Sequence, residues 1–177
     1  MKKIFLIFVS IVAVLGCSSG ESEQEIFKIE KITPSDTIFI YDSLTPIGFK
    51  KTKTYKVKDL PEANSAYFGF LKETKAEYEV RFYNSHQDAV DYGTSLAEER
   101  TGENAIVKTE DATWKEGIKE ARSCGGSKNM NHSATCMIPK FGDYIIFGNM
   151  ILLCEGYDPE VSMLNCSNII ERLSKEN

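Results

Sequence analysis

The sequence predicts an α+β domain, an antiparallel sheet with helices packed on one face, built from two β-hairpin–helix units and held by two disulfides. Three observations carry this. Residues 66–83 and 143–154 each hold two strand-like runs around a short turn. Each hairpin is followed by a helix-start signal. Four cysteines remain once one near the N-terminus is set aside, an even number. A chain of 177 residues, 42% hydrophobic and 27% charged, has enough apolar material for one core.

In chain order, Thr37-Ile38-Phe39-Ile40-Tyr41 reads as a short strand, and Thr52 to Val57 as another ending before Leu60-Pro61. The clearest hairpin joins Ala66–Leu71 to Tyr78–Tyr83. Phe68 and Phe70 alternate on one arm, Tyr78, Val80 and Phe82 on the other, and residues 72–77 form a polar turn. Aromatics in this pattern are read as core rather than as the lining of a groove.

Ser85-His86-Gln87-Asp88 then has the form of a capping box. The helix it opens carries Ala89, Tyr92, Gly93, Leu96 and Ala97 on one face and stops at Gly102. Trp114, Ile118 and Ala121 fall at helical spacing, which predicts a second helix over 110–123 before Gly125-Gly126 and a polar loop through Ser133. Residues 136–138 are read as a strand. The second hairpin, 143–147 with 150–154, is apolar on both faces, as a central strand pair is. Asp158 as N-cap and Pro159 in the first helical position open the last helix, which places Cys166, Ile169, Ile170 and Leu173 on one face. The units 66–101 and 143–174 thus share an order, though their sequences resemble each other only slightly.

The N-terminus begins with Lys2 and Lys3, followed by an apolar run from Ile4 to Leu15. That run is shorter than the roughly 20 residues of a membrane-spanning helix. It ends in Val14-Leu15-Gly16-Cys17, which resembles the lipobox of bacterial prolipoproteins, with Leu15 bulkier than the residue usual there. The resemblance covers the first 20 residues only. It implies cleavage after Gly16, a diacylglycerol on Cys17, and tethering in the cell envelope. With Ser18 next, it implies the outer membrane facing the periplasm where the host has two membranes, and otherwise the outer face of the cell membrane. The organisation expected is a leader over 1–16, a lipid-anchored tether over 17–36 and a single globular domain over 37–177.

Outside the cytosol Cys124, Cys136, Cys154 and Cys166 are expected to form two disulfides. Cys124–Cys136 and Cys154–Cys166 are favoured because each closes a short loop, although closure entropy leaves the crossed pairings open. A rival use of Cys124, His132 and Cys136, with Met130 and Met137 nearby, is a soft-metal site. Its spacing fits no metal signature, and neither metal nor cofactor is expected.

No catalytic motif appears, and His86 and His132 are the only histidines. His86 is expected in solvent. The net charge of -5 argues against nucleic-acid binding, which needs basic residues on phosphates. The basic run 50–58 stands out in this acidic chain. Lys51, Lys53 and Tyr55 are read as a speculative patch for an anionic surface or an envelope protein partner, against the plainer reading of an edge strand guarded by lysines. The leading expectation is a membrane-anchored binding or envelope-structural module; the alternative is an extracytoplasmic enzyme acting on envelope components.

Overall fold

The computed structural model describes residues 29–124 and 136–176. Cys17 with the leader, Met130 and His132 lie outside these. The architecture is α+β, with helices packed against a largely antiparallel sheet. The elements are β1 (Ile32–Thr33), α1 (Tyr41–Leu44), β2 (Phe49–Tyr55), β3 (Ala63–Leu71), β4 (Glu77–Tyr83) and α2 (His86–Asp88). α2 runs through a π turn (Ala89–Gly93) into α3 (Thr94–Glu98). β5 (Arg122–Ser123), β6 (Ile138–Pro139), β7 (Phe141–Phe147), β8 (Met150–Glu155) and α4 (Pro159–Glu176) follow.

Six strands form one sheet in the order β1-β7-β8-β4-β3-β2, antiparallel except for β1 against β7; β5 and β6 pair separately. Both expected hairpins are present. They meet where β4 pairs with β8, from Tyr78 opposite Cys154 to Phe82 opposite Met150. β8 is buried from Met150 to Cys154, which is why its sequence is apolar on both sides.

One face of the sheet presents Tyr78, Val80, Phe82, Ile145, Leu152 and Cys154 to α1 and α4. The other presents Tyr83, Tyr144, Ile146, Ile151 and Leu153 to Ala89, Leu96, Ala97 and Trp114. The helices therefore cover both faces, which corrects the expectation of one. Hairpins joined through antiparallel neighbours are exchanged by a rotation about the sheet normal, and that rotation keeps their helices on the same side. The two units do not obey it.

α4 starts as expected, with Asp158 Oδ1 accepting from Val161 N–H at 2.8 Å. The hydroxyl of Ser162 accepts from Asp143 N–H at 2.7 Å and donates to the Cys154 carbonyl at 2.6 Å, fixing the helix to both strands of its hairpin. The disulfides are Cys124–Cys136 and Cys154–Cys166, with Cα separations of 4.1 and 5.6 Å. The first takes both thiols out of the rival metal set.

Several elements differ from expectation. Residues 37–41 form no strand; Phe39 is buried there, while Ile38 and Ile40 are exposed. Residues 29–36, assigned to the tether, enter the fold: Ile29 is buried and Ile32–Thr33 pairs with β7. Tyr92 is turned outward where the π turn adds a residue to the expected stripe. The helix expected over 110–123 is absent; those residues form turns ending in β5.

Candidate functional site

Lys51, Lys53 and Tyr55 all lie on β2, an edge of the sheet, but they do not form one patch. A bulge between Lys51 and Lys53 shifts the register and separates their surroundings. Lys51 stands over Tyr41 and Tyr67, its ammonium 4.2 and 4.7 Å from the ring centroids. Lys53 pairs with Glu120. Tyr55 is buried, its ring edge-on to Trp114 at 5.7 Å. Five exposed residues in a lysine-rich edge strand fit the guarding role.

Beneath Tyr55 lies a charged cluster that the sequence reading missed. Glu79 and Arg81 project from β4 into the second face, completely buried. Arg81 Nε donates to Glu79 Oε1 at 2.8 Å, and Nη2 lies 2.7 Å from the same oxygen. Arg100, 1% exposed, reaches Glu79 Oε2 at 3.3 Å and donates to the carbonyls of Glu116 at 3.0 Å and Trp114 at 2.7 Å. Both guanidinium groups also lie near the Trp114 ring, 5.0 and 5.4 Å from its centroid, while its Nε1–H donates to the Lys56 carbonyl.

The carbonyls of Trp114 and Glu116, which in a helix would serve the amides four residues on, here accept from Arg100. Gly117, at φ +73°, passes so close that a Cβ would lie 2.9 Å from Glu79 Oε2. Burial pulls the Arg100 guanidinium below its usual range against the opposing pull of Glu79, and burial chiefly raises the Tyr55 and Tyr83 hydroxyls. The sequence signal was available: opposite charges two apart on a strand share one face.

Buried in this way, the cluster holds residues 99–121 against the sheet. His86 is half-buried, and its Nδ1 donates to the Gly148 carbonyl at 2.8 Å, which ties α2 to the β7–β8 turn.

An accessible cleft of about 730 Å³ lies at the opposite end of β7 and β8, lined by residues 101–104, 138–139, 141–142 and 156–159. Backbone bonds shape it. Gly102 N–H donates to the Phe141 carbonyl at 2.9 Å, and Gly156 N–H to Lys140 at 3.1 Å. A Cβ on Gly142 would stand 2.4 Å from the Asp158 carbonyl, so only glycine lets strand and helix entry approach this closely. Tyr157, 87% exposed, and Ile138, 44% exposed, offer apolar surface; Glu103 and Asp158 supply negative charge with no basic residue in the lining. None of the residues singled out from the sequence for chemistry lies there. Among the described residues, no three or more His, Cys, Asp or Glu are grouped to hold a metal ion, and no helix is long and apolar enough to cross a membrane.

Residues 40–175 match a family of unknown function, DUF6810, and the chain belongs to that family. No curated protein and no solved structure matches it.

Proposed function

We propose that this DUF6810 member is a lipid-anchored binding module working outside the cytoplasm, with the cleft at the start of α4 as its ligand site. The observation that carries the binding role is that cleft, whose volume of about 730 Å³ lies in the range of roughly 300–1,000 Å³ usual for small-molecule sites. An exposed aromatic ring beside two carboxylates suits a ligand that joins a flat apolar part to a cation. The address is supported by the lipobox-like leader together with two disulfides, which belong to oxidising compartments.

Two measurements test this. Cys17→Ser is expected to abolish incorporation of labelled fatty acid and to release the protein from the membrane fraction; unchanged labelling counts against the anchor. Tyramine, an aromatic amine, serves as the cleft probe. Saturable binding that is weakened in Tyr157→Ala and Glu103→Gln is expected, and binding indifferent to both changes counts against the site.

A further inference from the structure

The segment that leads into the sheet holds two large aliphatic side chains in solvent. Over residues 37–41, Phe39 packs on Phe147 with centroids 5.4 Å apart and Tyr41 on Tyr67 at 5.2 Å, whereas Ile38 and Ile40 are 57% and 55% exposed. The Asn149 side chain clamps the backbone between them, its Oδ1 accepting from Phe39 N–H at 2.7 Å and its Nδ2 donating to the Phe39 carbonyl at 3.0 Å. Neither isoleucine is needed to hold this segment in place.

The position of the anchor gives these side chains an occupant. Ile29 is buried in the same core as Phe39, and β1 runs parallel to β7, carrying the chain from beside Asp143 to the turn end where Ile38 and Ile40 stand. Residues 18–28 separate Ile29 from Cys17, a stretch that spans at most about 40 Å fully extended. Charge here is mixed, with Asp42 exposed next to Tyr41 and the Lys51 ammonium over the Tyr41 ring, so apolar contact rather than headgroup charge is the attraction.

We infer that Ile38 and Ile40 seat in the interfacial layer of the bilayer that holds the Cys17 acyl chains, docking the domain with this face toward the membrane. This rests on the anchored reading above. Phe39 packs beside the β7–β8 turn, and the cleft lies at the other end of β7, about 20 Å away at the usual rise per residue. Docked in this way, the cleft opens away from the lipid.

The test uses full-length protein, isolated from membranes and reconstituted in phosphatidylcholine vesicles with and without brominated acyl chains. Ile38→Trp and Ile40→Trp each add a reporter at an exposed position, and Tyr92→Trp adds one on the other face of the sheet, where Tyr92 is 45% exposed. The native Trp114, 1% exposed, gives a common background. Bromine is expected to remove most of the added emission at positions 38 and 40 and to leave position 92 unchanged. Undiminished emission at 38 and 40, or equal loss at 92, overturns the docking. The mass of the N-terminal peptide separates the two readings. Acylated Cys17 without quenching defeats docking alone, unacylated Cys17 with quenching defeats the anchor alone, and neither acylation nor quenching defeats both.

Discussion

On one side of the sheet Val80, Ile145 and Leu152 meet Ile169, Ile170 and Leu173 of α4, and the Cys154–Cys166 bond crosses the same interface. On the other side the same central strands send Glu79 and Arg81 against Arg100, Trp114 and a run of turns. The first surface is covered by a regular helix whose backbone is satisfied internally, so apolar side chains suffice. The second is covered partly by α2 and α3 and partly by irregular chain, whose carbonyls need donors brought from elsewhere. Arg100 supplies them, and Glu79 is what makes burying two guanidinium groups tolerable. Charge here substitutes for secondary structure.

The sharpest way to break the comparison is Glu79→Ala. It leaves two buried guanidinium groups without their carboxylate and is expected to cost about 3–5 kcal/mol in urea unfolding. A loss under 1 kcal/mol in that titration would mean that the cluster carries no such role. Next come the disulfides. Both join residues 12 apart in sequence, so the chain-entropy model assigns about 3 kcal/mol to each. Cys154 and Cys166 are fully buried at the helix interface, so replacing that pair with alanine is expected to lower Tm further than replacing Cys124 and Cys136; equal losses would show that burial adds nothing.

Alkaline pH should act mainly on the charged side. Burial raises Tyr144 to about 12, with Glu98 adding to the shift, and burial also raises Tyr55 and Tyr83 there; Tyr78 is the counterpart on the apolar side. Above pH 10 the unfolded tyrosines lose protons that the folded ones keep, so stability is complete below that point and falls as pH rises toward 12. Urea midpoints measured at pH 9, 10 and 11 should decline, and less steeply in Tyr144→Phe. The smallest effect is Lys53→Ala. Its pair with Glu120 is half in solvent and is expected to contribute about 0.2–1 kcal/mol.

What the sequence disclosed follows this division. The apolar side was legible because its rules are local. Asp158-Pro159 starts a helix, a doubly apolar run marks a central strand, and Cys166 falls on the stripe that faces Cys154. The charged side was not, because Trp114, Ile118 and Ala121 keep helical spacing in a segment whose carbonyls a distant arginine has captured. In residues 37–41 the β-branched and aromatic content pointed to a strand, but strand pairing depends on a neighbour that composition does not reveal. The cleft was illegible for another reason: backbone approach at Gly102, Gly142 and Gly156 shapes it, and no side-chain motif records that.

The order of strands also sets the order of events in assembly. β4 is buried on both faces and needs β8 as its neighbour, yet β8 begins at Met150, late in the chain. A chain delivered N-terminus first, by synthesis or by export, therefore presents β3 and β4 with an inner edge that stays bare until β8 arrives. Fragments ending before Met150 would present that edge to one another and precipitate, and only chains carrying the whole of β8 would refold from denaturant.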